Sequence, residues 1–122
     1  MSRYADAVDR YFAAWNAGSD EVLVAAVAAA WVEDGYYTDP LVDAVGHDQL
    51  RSAIEGVRQQ FPGFQFRVHG EVDGHHDTAR FSWELVSVAD GSAPVAGSDV
   101  LTLAEDGRIS GVLGFLDRVP TA

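Results

Sequence analysis

Along the first third of the chain, apolar residues recur at helical spacing; along the second half they alternate. Tyr4, Val8, Tyr11, Phe12 and Trp15 fall at three- and four-residue steps, so they share one helical face. Asn16-Ala17-Gly18 ends that helix, and Ser19 or Asp20 supplies the cap of a second one. The second stripe is Leu23, Val27 and Trp31, with alanines between that allow close packing. Asp34-Gly35 breaks the pattern. Residues 36–39 (Tyr36, Tyr37, Thr38, Asp39) read as a short strand, because aromatic and β-branched side chains suit a pleated surface. Pro40 holds Asp39 extended and ends the strand, and a loop runs on to Gly46. Leu50, Ile54, Val57 and Phe61 predict a third helix, closed by Pro62-Gly63.

The rest reads as sheet. Phe64, Phe66 and Val68 alternate with Gln65, Arg67 and His69, and Phe81, Trp83 and Leu85 with Arg80, Ser82 and Glu84. Asp90-Gly91 and Asp106-Gly107 are hairpin signals that put the last two strands at about 95–104 and 108–116. Three amphipathic helices before a four-strand antiparallel meander can cover the concave face of a curved sheet. The expected fold is therefore an α+β cone, with helices closing one side and a cavity at the mouth. The length of 122 residues fits one domain over 1–122.

Composition narrows the chemistry. There is no cysteine, which removes disulfides and thiolate nucleophiles and fits a cytoplasmic protein. All 8 basic residues are arginine, so lysine Schiff bases and phosphate-loop lysines are excluded. The net charge of -11 repels nucleic acid and anionic membranes. No apolar run approaches the roughly 18 residues of a membrane span, and no signal peptide is expected at the N-terminus.

Most aspartates sit in turns or on helix surfaces, where caps and turn chemistry explain them. Asp99 does not. Counting by two along its strand, it shares a face with Val95, Gly97, Leu101 and Leu103. A carboxyl group among apolar side chains must find donors or shift its pKa upward. A bulge or a backbone hydrogen bond would explain it equally. Tyr11, on the core stripe of the first helix, needs a partner for its hydroxyl, and Asp99 is a candidate; filling the core is the alternative. Asp39 reads either as a turn-initiating Asp-Pro or as a carboxylate projecting into the cone beside Tyr37.

Other motifs carry less. His75-His76 are strand neighbours that point to opposite faces, so a shared metal is not expected and no metal site is assigned. His47 reads as a surface residue, and His69 as facing solvent or a partner. No nucleophile elbow or phosphate-binding glycine loop is present, and no cofactor is expected.

Four stretches taken together resemble the nuclear-transport-factor-two-like superfamily, in its SnoaL-like and ketosteroid-isomerase-like branches. They are the helix end Arg10-Tyr11-Phe12-Ala13-Ala14-Trp15-Asn16-Ala17-Gly18, the strand end Tyr37-Thr38-Asp39-Pro40, the helix start from Gly46 towards Ile54, and Gly97-Ser98-Asp99-Val100. The resemblance spans nearly the whole chain and implies specific roles. Tyr11 matches the tyrosine that donates to the oxyanion, Asp39 the aspartate that shuttles the proton, and Asp99 the acid kept protonated as second donor. The loop 41–45 departs from the isomerase pattern.

The expected function is binding of a small apolar molecule, with acid-base chemistry next to a carbonyl. Asp39, Tyr11 and Asp99 would be catalytic, and Trp83, Phe81, Phe115 and Tyr37 would line the pocket. A water-activating, epoxide-hydrolase-like variant would need further polar partners around Asp99. The rival is a non-catalytic ligand-binding or dimerisation domain, in which aromatics fill the cone. The outer parity of the strands, with Val86, Val88, Val100 and Val112, predicts a homodimer through the outer sheet face.

Overall fold

Ser2 accepts a hydrogen bond from the Ala5 backbone N–H at 3.0 Å and so caps α1 (Arg3–Trp15). The computed structural model describes residues 2–120. Helix α1 buries Val8, Tyr11, Phe12 and Trp15, the stripe read from the sequence. Asn16 docks its C-terminal end: the side-chain amide donates to Phe66 O at 3.0 Å and its oxygen accepts from Phe66 N–H at 2.8 Å. Asn16 thus pairs with Phe66 as a strand neighbour would. Ser19 caps α2 (Asp20–Ala30), which buries Leu23, Val27 and Ala30.

The predicted stripe on α2 included Trp31, and here the structure differs. Trp31 is fully buried but opens β1 (Trp31–Thr38), pairing with Ile109. The expected four-residue strand is thus eight residues long. Its register shifts between Trp31 and Tyr36, and at Gly35 a Cβ would lie 2.8 Å from the Trp31 ring. The strand bulges there, and only glycine fits beneath the indole. The expected plain loop also contains β2 (Asp43–Val45), paired antiparallel with β1. Helix α3 (His47–Gln60) buries Leu50 and Ile54. His47 is half-buried rather than a surface residue. Its Nε2 lies 3.0 Å from both Trp31 O and Val32 O, so this nitrogen carries the hydrogen and ties α3 to the α2–β1 junction.

The remaining strands are β3 (Phe64–His75), β4 (Thr78–Ser87), β5 (Val95–Leu103) and β6 (Ile109–Arg118). They join one six-stranded sheet in the order β2-β1-β6-β5-β4-β3. The sheet is mixed, not purely antiparallel, because β1 runs parallel to β6. Register shifts interrupt β3 between His69 and Asp73, and the β5–β6 pair at both ends. Such bulges bend a sheet into an open cone. No helix among the described residues is long and apolar enough to cross a membrane.

One bulge reverses two expectations. Thr102 faces Gly111 while Leu103 faces Ile109, leaving Ser110 as the extra residue. Beyond it the alternation changes phase. Val112 and Gly114 turn inward, and Leu113 and Phe115 outward. Val112 is fully buried rather than part of the outer face, and Phe115 is 58% exposed rather than in the pocket.

Candidate active site

Two strands and one helix bring the candidate residues together. From α1, Tyr11 Oη donates to Asp99 Oδ2 of β5 across 2.6 Å, and both side chains are fully enclosed. Asp99, 2% exposed, is the one buried carboxylate among the described residues. The period of two along β5 and the helical stripe of α1 therefore meet as the sequence implied.

At the end of β1, Tyr37 Oη donates to Asp39 Oδ2 at 2.5 Å. Asp39 Oδ1 accepts from the backbone N–H groups of Leu41 and Val42, each at 2.8 Å. Its own N–H donates to Val42 O at 2.8 Å. Both sequence readings of Asp39 hold at once: it closes the Asp-Pro turn and also lines the cavity.

Gly114 of β6 lies between Asp99 and Asp39. A Cβ there would stand 3.0 Å from Asp99 Oδ1, 3.2 Å from Asp39 Cβ and 3.3 Å from Thr38 O. The absence of a side chain lets the two acids approach.

Electrostatics separate the groups. Burial pushes the Asp99 carboxyl up to about 6; the charges of Asp39 and Asp117 add to this. The Tyr11 hydrogen bond pulls it back, as does the nearby Trp83 indole N–H, although that N–H closes no hydrogen bond. Burial also drives Tyr11 well above the usual tyrosine range, and Asp99 reinforces it. Tyr37 is raised likewise, by burial first and then by Asp99 and Asp39. Both hydroxyls therefore stay protonated and act as donors.

These groups open into a cavity of about 710 Å³, a size that accommodates a small organic ligand. Tyr37 and Trp83 line it, as expected from the sequence. Phe81 does not: it lies behind the cavity wall, edge-on to Tyr11 and Phe12 at 5.7 and 5.4 Å. Phe115 is on the other side of the sheet. The sequence reading missed Trp15 and Phe66 as wall residues, and Leu41 and Val119 at the mouth. Trp15 had been absorbed into the core stripe, yet its polar ring edge was the available signal. Among the described residues, no group of three or more His, Cys, Asp or Glu is arranged to hold a metal. His75 and His76 sit at the β3–β4 turn, where His76 adopts a positive φ of 48°.

An open cone of curved sheet, closed by helices over an acid-lined apolar cavity, defines the nuclear-transport-factor-two-like, or cystatin-like, class of α+β rolls. The sequence profile of the SnoaL-like domain matches residues 8–112. The chain belongs to the SnoaL-like family. It is 41% identical to a protein from Agrobacterium tumefaciens proposed to be an isomerase of that family; 96% of this chain and 99% of that one align, with a TM-score of 0.89. A proposed SnoaL-like polyketide cyclase from Jannaschia sp. shares 16% identity, with 94% and 85% of the chains covered and a TM-score of 0.74. A de novo designed protein with a curved β-sheet shares 14% identity, covers 96% and 88%, and gives 0.71. These last two establish the fold alone. No match was found among curated proteins.

Proposed function

We propose that the protein is an isomerase- or cyclase-type enzyme that moves a proton next to the carbonyl of an apolar compound. The observation that carries this reading is the Asp99 carboxyl group. One oxygen is fixed by Tyr11 and the other is unpartnered, in a mostly apolar cavity. The name given to the Agrobacterium relative agrees with it.

In this reading the substrate carbonyl oxygen lies against Tyr11 and Asp99. A C–H bond alpha to the carbonyl breaks, its proton passes to Asp39 Oδ2, and the electron pair moves to the carbonyl oxygen. Protonated Asp99 donates from Oδ1 to the resulting enolate while Tyr11 holds Oδ2, and Asp39 returns the proton at another carbon. With an Asp99 pKa of about 6, the protonated donor is the main form below that pH and a minor one at about pH 7.

One observation favours the non-catalytic alternative. Asp39 accepts three hydrogen bonds, and that from the Tyr37 hydroxyl occupies the oxygen that would take the proton. Proton abstraction requires the Tyr37 hydroxyl to release Oδ2. The test is hydrogen–deuterium exchange at C1 of 2-tetralone, a flat aromatic ketone, followed by NMR in D2O. The wild type should accelerate exchange, and Asp39→Asn should slow it roughly 10²- to 10⁴-fold. Exchange unchanged by Asp39→Asn would move the base role to Asp99. No acceleration by the wild type would favour the ligand-binding reading.

We also propose a homodimer through the outer sheet face. Tyr36, Val45, Leu113 and Phe115 form an exposed apolar group there, with Val100 beside them. Phe115→Arg should shift the sedimentation coefficient from dimer to monomer at micromolar concentration; a wild type that is already monomeric there would refute the pairing.

A further inference from the structure

Three polar atoms in the cavity wall close no hydrogen bond: Trp15 Nε1, which lies near the Tyr11 hydroxyl, Trp83 Nε1, which lies near the Asp99 carboxyl, and Asp99 Oδ1. The two tryptophans are only 4% and 6% exposed. An indole N–H donates and never accepts, and leaving a buried donor unmet costs about 1–3 kcal/mol. Trp31 Nε1 is also unpartnered, but Trp31 does not line the cavity.

The placing of Trp83 has a local cause. Trp83 pairs across the sheet with Gly97, where a Cβ would stand 2.4 Å from Trp83 Cζ2 and 2.7 Å from Cε2. Those two carbons belong to the ring edge that carries Nε1. Gly97 therefore lets this edge lie down on β5, two residues from Asp99 on the same face. Trp15 stands on the same α1 face as Tyr11, one turn on, with ring centroids 6.2 Å apart. Both indoles thus border the Tyr11–Asp99 pair from different elements.

We infer that Trp15 and Trp83 are specificity-determining residues whose indole N–H groups donate to a ligand oxygen, so that the cavity selects flat apolar compounds carrying a carbonyl or phenolic oxygen at their inner end. The donors require an acceptor, which a pure hydrocarbon lacks. The rings of Trp15, Tyr37, Phe66 and Trp83 supply the apolar walls, and such faces favour flat π-systems. This inference rests on the cavity being the ligand site, and it extends the proposed function from reaction type to ligand class.

The experiment uses the full chain labelled with 15N and two probes of nearly the same shape, 2-naphthol and naphthalene. The three tryptophans give three indole signals, with Trp31 as the internal control. On saturation with 2-naphthol, the Trp15 and Trp83 indole protons should move downfield while Trp31 stays. Naphthalene should produce no such shift. Trp15→Phe and Trp83→Phe should each weaken 2-naphthol binding roughly three- to tenfold more than they weaken naphthalene binding, as expected for one lost hydrogen bond on top of the lost ring contact. Immobile indoles with 2-naphthol bound, equal losses for both probes, or no saturable binding of 2-naphthol would each overturn the inference. The indole shifts in the wild type decide the matter even where a Phe variant fails to fold. Immobile indoles with 2-tetralone exchange intact would remove only the tryptophan role. Shifted indoles without exchange would remove only the catalytic reading.

Discussion

Asp99→Asn should yield a protein that is more stable than the wild type above pH 7 and that has lost up to about 10²- to 10³-fold of its activity, the range for removal of an oxyanion donor. The stability change follows from linkage. Asp99 has a folded-state pKa of about 6 against an ordinary 3.8. Between these values the folded protein binds the proton and the unfolded chain releases it, so stability falls as pH rises through this window. Above about 6 the loss is complete, at about 3 kcal/mol for a shift of some two units. Asparagine carries no charge to bury and keeps a polar group opposite Tyr11. The variant should therefore recover about 1–3 kcal/mol near pH 7.5. Near pH 4 the two proteins should converge. Urea denaturation of both proteins at the two pH values gives the answer. Other carboxylates titrate in both and cancel in the difference; a wild type–variant difference that does not change with pH would refute the argument. A gain in stability with a loss of activity is the mark of a group retained for chemistry and not for folding.

The second large effect belongs to Gly114. With contacts of 3.0 to 3.3 Å awaiting even a Cβ, alanine requires its neighbours to yield by a few tenths of an ångström. Valine adds two methyl groups where Asp99 Oδ1, Asp39 and Thr38 O already close the space. Gly114→Val should cost about 1–3 kcal/mol through overpacking and push the two carboxyl groups apart. Binding of 2-naphthol, measured by fluorescence titration, should weaken roughly three- to tenfold, as for loss of one hydrogen bond. Wild-type stability and affinity in this variant would show that the carboxyl groups are not held together through this glycine.

What the sequence disclosed, and what it withheld, divides by the range of the interactions. Tyr11 and Asp99 were legible because each lies on an uninterrupted period, helical in α1 and alternating in β5. Trp31 looked helical because it continues the Leu23 and Val27 stripe. Its pairing with Ile109, 78 positions away, made it a strand residue instead. Phe115 and Val112 were read on the wrong faces because a bulge at Ser110 shifts the phase of β6, and nothing near Ser110 announces it. Phe81 was correctly turned inward, but Tyr11 and Phe12 cover it. The roles of Gly97 and Gly114 depend on side chains from other elements and are invisible along a strand. Periodicity thus reveals which residues enter the cone. Which of them border the cavity is set by long-range packing.

Asp99 is an acid set into a largely apolar wall, and that setting should bring its titration near neutrality. A 13C NMR titration of the Asp99 side-chain carboxyl in the wild type tests it most directly. The inflection should lie close to pH 6; one at or below the ordinary 3.8 would show that the apolar wall does not hold the proton on this group.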